Sequence, residues 1–124
     1  MGYQITKQFS FSASHWIGGL PEGHQCARLH GHNYRVEIVI RGHELDDHGF
    51  ILDYGELDVI GEWIKQELDH RHLNDVMGTD RTTAENLARM IYDKWSGDFP
   101  EIYAVRVSET DKTWASYDPF DRGL

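Results

Sequence analysis

"HGHNYRVEIVIRG", residues 30–42, decides how this chain folds. In an extended strand, alternate side chains point to the same face. His30, His32, Tyr34, Val36, Ile38 and Ile40 then line one side, and Asn33, Arg35, Glu37 and Arg41 line the other. This is the pattern of a half-buried strand. It also sets two imidazoles at the start of an apolar face, with Gly31 between them to admit a close neighbour.

Upstream, "YQITKQFSFSASH" (3–15) alternates in the same way. Tyr3, Ile5, Phe9, Phe11, Ala13 and His15 share one face, with Lys7 the exception; Gln4, Thr6, Gln8, Ser10, Ser12 and Ser14 take the other. "WIGGLPEGHQ" (16–25) carries three Gly and a Pro and reads as a loop. If the two strands pair antiparallel, the end of the first lies beside the start of the second, and His15, His30 and His32 converge. Three neutral imidazoles with an open fourth position make a catalytic zinc site. One histidine on an apolar face is more commonly a satisfied core residue. Three at one hairpin end, beside Cys26, favour a metal.

Downstream the period changes. "DYGE" (53–56) has the form of a capping box, and Leu57, Ile60, Ile64 and Leu68 follow at helical spacing. That helix should end near 69–72. A second capping box, "TTAE" (82–85), precedes Ala84, Leu87, Ala88, Ile91 and Trp95, and "SGDFP" stops the helix. "IYAVRVSET" (102–110) reads as a strand with Tyr103, Val105, Val107 and Glu109 on one face, and "TWASYDPF" (113–120) holds a short last strand. The order is β-β-α-α-β-β. It predicts one α+β domain over 1–124, a four-stranded antiparallel sheet with two helices on one face.

Composition narrows the function. The chain has 124 residues with a formal net charge of −9, which opposes broad binding to nucleic acid. No apolar run approaches a membrane span, and no signal peptide opens the chain. One cysteine excludes an internal disulfide. A cytoplasmic protein that binds neither nucleic acid nor membrane is the simplest expectation.

Other residues carry chemistry with two readings each. Cys26 is either a small packed hydrophobe or, near a metal-bound ligand, a base, since a thiol ionises more readily beside positive charge. It is not expected as a fourth ligand, because structural zinc sites commonly use several cysteines. Asp69 and His70 adjoin at a predicted helix end. They are a polar terminus or a pair in which the carboxylate fixes the imidazole tautomer. Glu109 is an exposed strand end or an anchor for paired N–H donors.

Six motifs in order, "FSFSASH" (9–15), "CARLHGHNY" (26–34), "ILDYGEL" (51–57), "LDHRHLND" (68–75), "TTAENLA" (82–88) and "VSET" (107–110), resemble the 6-pyruvoyl-tetrahydropterin synthase family over nearly the whole chain. The C-x3-H-G-H spacing resembles its 6-carboxy-5,6,7,8-tetrahydropterin synthase branch, of the queuosine pathway; the pyruvoyl-forming branch has a longer gap. The resemblance implies a tunnelling fold. Trimers close their sheets into a barrel, two trimers stack into a hexamer, and the sites lie between subunits. It implies zinc on His15, His30 and His32, Cys26 as base, Asp69 with His70 as a second proton-transfer pair, and Glu109 as the pterin anchor. Thr83, Ala84 and Thr110 would neighbour the pterin, while Thr82 and Glu85 would cap the helix. The implied reaction is a lyase conversion of 7,8-dihydroneopterin triphosphate to 6-carboxy-5,6,7,8-tetrahydropterin, acetaldehyde and triphosphate. The alternatives are 6-pyruvoyl-tetrahydropterin formation, tolerance of sepiapterin-like substrates, and a non-catalytic pterin- or zinc-binding module, which would need no proton-transfer groups. Arg28, Arg81 and Lys112 are candidates for the triphosphate by charge alone.

Overall fold

The computed structural model describes residues 2–120; the first residue and the last four of the expected domain lie outside the described residues. The two alternating stretches form β1 (Tyr3–His15) and β2 (His30–Gly42). They pair antiparallel along their whole length, from Tyr3 opposite Gly42 to His15 opposite His30. The expected hairpin is therefore present, and its loop end gathers the histidines.

The sheet has five strands rather than four, and it is mixed rather than antiparallel. A two-residue strand, β3 (Arg71–His72), lies parallel to β1 on its outer edge, while β4 (Ile102–Thr110) and β5 (Thr113–Tyr117) continue beyond β2 in the order β3-β1-β2-β4-β5. Two residues are too few to show a period. The turn into β3 depends on His70, which sits at φ 58, a left-handed conformation uncommon for a residue with a Cβ.

The helices start later than the capping boxes suggest. Asp53 accepts the Gly55 N–H at 2.8 Å, but it opens a 3-10 turn (Tyr54–Leu57), and α1 runs from Asp58 to Glu67. A five-residue helix, α2 (Leu73–Met77), follows β3. In α3 (Ala84–Trp95) the capping residue is Thr83, whose hydroxyl accepts the Asn86 N–H at 3.2 Å. The expected cap at Thr82 is thus displaced by one position, because the Thr82 hydroxyl is turned inward to other partners.

One apolar core lies between the helices and one sheet face. It joins Phe11, Tyr34, Val36, Ile38 and Ile40 to Ile60, Ile64, Leu68, Leu73, Leu87 and Ile91, with Val105 and Val107. α1 can lie against β1 because position 61 is glycine. A Cβ there would stand 2.7 Å from the Phe9 ring. Lys7, the exception in its alternation, reaches out to the Tyr54 carbonyl at 3.0 Å and to the Asp58 carboxylate.

Tyr103 is not on the core face. The register with β2 slips between Val39 and Ile40, so that Ala104 faces Val39 and Ile102 faces Ile40. The extra residue is a β-bulge. It puts Tyr103 under the Arg41 guanidinium, 3.6 Å from the ring centroid, and against Phe120. Val105, Val107 and Glu109 keep the predicted face. No helix among the described residues is long and apolar enough to cross a membrane.

Candidate metal centre

The hairpin register brings the histidines together. His15 closes β1 directly opposite His30 at the start of β2, and His32 follows on the same face. The three rings lie with centroids 4.6 to 5.1 Å apart in edge-on arrangements. One ring nitrogen from each lies within 4.8 Å of the others.

Hydrogen bonds set which nitrogens are free. His15 Nδ1 donates to the Thr82 carbonyl at 2.7 Å, and His30 Nδ1 donates to the Arg28 carbonyl at 2.6 Å. These acceptors assign the tautomers. Both Nε2 atoms then carry lone pairs, and they face each other at 3.0 Å. Two neutral imidazoles have no proton to place between them. His32 Nε2 is buried with no hydrogen-bond partner in the chain. Burial pushes His15 below its ordinary 6.5, against the opposing effects of the Thr82 hydrogen bond and the Glu109 charge. Burial does the same to His32, again against the pull of Glu109. Convergent ring nitrogens, with His15 buried and His32 Nε2 lacking a hydrogen-bond partner, are what a cation requires. A set of three imidazoles suits zinc, copper, iron or nickel.

Glu109 stands at the edge of this cluster, with Oε2 3.6 Å from His32 Nε2. It shares a cleft of about 290 Å³ with Ala84, Val107 and Trp114. Thr83 is engaged as the helix cap. The Thr110 hydroxyl pairs with Thr113 at 3.3 Å, and its carbonyl accepts the Ser108 hydroxyl.

On the other side of His32, a groove of about 570 Å³ runs past Ala13, Gly31 and Asn33 to His70, Arg71 and His72. Here Asp69 and His70 form a pair, with His70 Nδ1 2.9 Å from Asp69 Oδ2. The second carboxylate oxygen of Asp69 accepts the Ser12 N–H at 2.9 Å. That bond and the one from His70 hold the Asp69 carboxyl below its ordinary range. His70 itself is exposed, with 82% of its side chain accessible.

Cys26 lies in a 3-10 turn (Gln25–Ala27) of the β1–β2 loop, half-buried. Its carbonyl accepts the Ile17 N–H at 2.9 Å, two residues past His15, and the loop returns at Arg28, whose carbonyl holds His30. The turn is thus anchored beside two of the three histidines. Among the charge-only candidates, Arg81 is paired with Asp80 at 2.7 Å, while Arg28 and Lys112 are exposed.

Residues with no role at the cluster expected from sequence also meet here. The Thr82 hydroxyl and the Asn74 side chain contact the backbone of Trp16, next to His15. Tyr34 stacks on Phe11 between the histidines and the core, and its hydroxyl is buried without a partner in the chain. "LDHRHLND" contains Asn74, but nothing local points across 58 residues to Trp16.

Comparison with known proteins shows the family of the chain. Residues 4–119 match the family described as 6-pyruvoyl tetrahydropterin synthase. A Synechocystis protein named 6-carboxy-5,6,7,8-tetrahydropterin synthase is 35% identical over 119 residues, covering 91% of each chain. A Bacillus subtilis protein of the same name is 33% identical, covering 98% of this chain and 89% of its own. The structure of Caenorhabditis elegans 6-pyruvoyl tetrahydropterin synthase superposes with a TM-score of 0.83 at 24% identity, covering 97% of both chains. The chain belongs to the 6-pyruvoyl tetrahydropterin synthase family and is an enzyme of it, a lyase.

Proposed function

We propose that the chain is a zinc-dependent 6-carboxy-5,6,7,8-tetrahydropterin synthase. It would convert 7,8-dihydroneopterin triphosphate and water to 6-carboxy-5,6,7,8-tetrahydropterin, acetaldehyde and triphosphate, a step toward queuosine and other 7-deazapurines. The observation that carries the reading is the set of bare imidazole nitrogens with Glu109 at its edge. The names of the relatives and the four-residue step from Cys26 to His30 favour the carboxy-forming branch.

His15, His30 and His32 would hold the metal. When bound, zinc supplies Lewis acidity that acidifies and orients the hydroxyls of the substrate side chain. Glu109 accepts hydrogen bonds from the N–H groups of the pterin and holds the ring, with Thr83, Ala84 and Thr110 as neighbours. Cys26, as thiolate, takes a proton from the side chain during the internal redox step. His70 moves the other protons, and Asp69 fixes its ring through Nδ1. Both edges of the sheet end in short strands, β3 and β5. Pairing those edges between copies would remove them, so the proposed assembly is a hexamer of two stacked trimers.

Incubation of the zinc-loaded protein with 7,8-dihydroneopterin triphosphate tests the reading. Carboxytetrahydropterin and acetaldehyde in equal amounts are expected. Accumulation of 6-pyruvoyl-tetrahydropterin would replace it with the pyruvoyl-forming activity. Zinc and pterin binding without turnover would reduce it to a binding module. Light scattering should give a mass six times that of the chain.

A further inference from the structure

β1 outruns its partner on the outer edge of the sheet. β3 pairs only with Ala13 and Ser14. Yet the backbone groups on either side of that short pairing are also occupied, all by the segment 69–74. Before it, the Ser12 N–H donates to the Asp69 carboxylate at 2.9 Å, and the Ser12 carbonyl accepts the His70 N–H at 2.6 Å. Beyond it, the Trp16 N–H donates to Asn74 Oδ1 at 3.1 Å, and Asn74 Nδ2 donates to the Trp16 carbonyl at 2.9 Å. One amide side chain thus meets both backbone groups of Trp16, as a neighbouring strand would.

Thr82 completes the frame. It is fully buried. Its hydroxyl donates to the Trp16 carbonyl at 3.1 Å, the second donor on that oxygen. A hydroxyl has one hydrogen to give, so its lone pairs remain for His15 Nδ1, 3.2 Å away. Its own carbonyl accepts the main hydrogen bond from the same nitrogen. His15 is therefore held by a residue that is locked to the backbone of the next residue in the chain. Asn74 is locked to that backbone as well, and it follows Asp69 and His70 by a few residues.

We propose that Thr82 and Asn74 are positioning residues for the metal centre. The Thr82 hydroxyl, locked to the Trp16 carbonyl, holds the Thr82 carbonyl in place against His15 Nδ1 and so sets the ring plane of His15, and Asn74 ties the Asp69–His70 segment to the same frame. Neither touches the metal or the substrate. The proposal rests on His15, His30 and His32 being the metal ligands. Partners of this kind commonly alter metal affinity 10- to 100-fold.

The experiment measures zinc affinity by competition with a chromophoric chelator, and the visible absorption of the Co²⁺-substituted protein. Wild-type zinc binding is measured first; if it is absent, the ligand assignment itself fails. Thr82→Val keeps the shape but loses the donor. It should weaken zinc by roughly 10-fold or more and shift the cobalt bands. Thr82→Ser restores the hydroxyl and should return both to near wild type. Asn74→Asp keeps the acceptor for the Trp16 N–H but cannot donate to the carbonyl. It should weaken zinc by a smaller factor, with altered cobalt bands. Wild-type affinity and cobalt spectra in Thr82→Val would overturn the proposal. If that variant does not fold, the same result in Asn74→Asp would overturn it.

Discussion

The two ends of the β1–β2 hairpin close on cavities of similar size and opposite character. At the Tyr3–Gly42 end, about 600 Å³ is lined by Tyr3, Gln4, Arg41, His43, Tyr103 and Phe120. The strongest group there is satisfied within the chain. Arg41 Nε donates to Gln4 at 2.8 Å, and its guanidinium lies on the Tyr103 ring, which stacks on Phe120. At the His15–His30 end, about 570 Å³ adjoins a cluster in which the Nε2 atoms of His15 and His30 face each other at 3.0 Å and His32 Nε2 is buried without a hydrogen-bond partner in the chain. The larger cavity is at the satisfied end. What separates the two is polar groups left without protein partners. Such groups cost free energy in a purely structural role, and a ligand would remove that cost.

The sharpest way to break this contrast is to remove a ligand. His32→Ala should abolish stoichiometric zinc and lower turnover by roughly 10³ or more, the several kcal/mol that a Lewis-acid metal supplies. Metal analysis and product assay check it together. Full zinc in the variant would mean that the bare nitrogens are not a site. Next in size is Cys26→Ala. It should keep its zinc and its pterin affinity while turnover falls by roughly 10² or more, the scale for losing a positioned base. Zinc loss instead would make Cys26 a ligand, and unchanged turnover would make it a packed thiol. Glu109→Ala should keep its zinc but weaken pterin binding by roughly 10- to 100-fold, as expected for hydrogen bonds to a charged group.

Such variants can be chosen largely because two-residue alternation survives in long strands. Thirteen residues of it in β1 and again in β2 outvote the single exception at Lys7, and the face they define ends in His15, His30 and His32. Glu109 was legible for the same reason, closing the apolar face of β4. What escaped was short or non-local. β3 has two residues and α2 has five, too few for any period. The bulge that expels Tyr103 comes from a register shift against β2, which β4 alone does not encode. The cap moved from Thr82 to Thr83 because Thr82 had better partners 66 and 67 residues away in sequence. Charge alone did not show that Arg81 is already paired with Asp80.

A smaller effect should appear in the zinc-free protein on acidification, in two windows. His15 and His32 are pushed below 6.5 when folded, so the unfolded chain binds protons first. Stability tied to them is full above pH 6.5 and declines as pH falls below it. Asp69 is held below its ordinary 3.8, first by the Ser12 N–H and then by His70. Its contribution is present above pH 3.8 and is lost as pH falls through the lower folded value. Denaturant titrations across pH 3 to 8 should show both declines, with Asp69→Asn removing the lower one. A lower decline unchanged in Asp69→Asn would show that the titration of Asp69 is not its source.

The smallest effect belongs to the satisfied end, and it tests the contrast from the other side. Arg41→Met keeps the length of the side chain but removes its charge and donors. The contact over Tyr103 is accessible to solvent, and such contacts contribute about 0.5–1 kcal/mol; the bond to Gln4 adds little at an exposed position. The melting temperature of the zinc-loaded protein should fall by about 4 °C or less. Zinc affinity, turnover and KM should stay at wild type, because nothing at this end touches the histidine cluster at the other end of the same strands. A tenfold drop in turnover would show that a cavity with its polar groups already satisfied still takes part in the chemistry. Partnerless groups would then no longer distinguish the working end of the hairpin from the structural one.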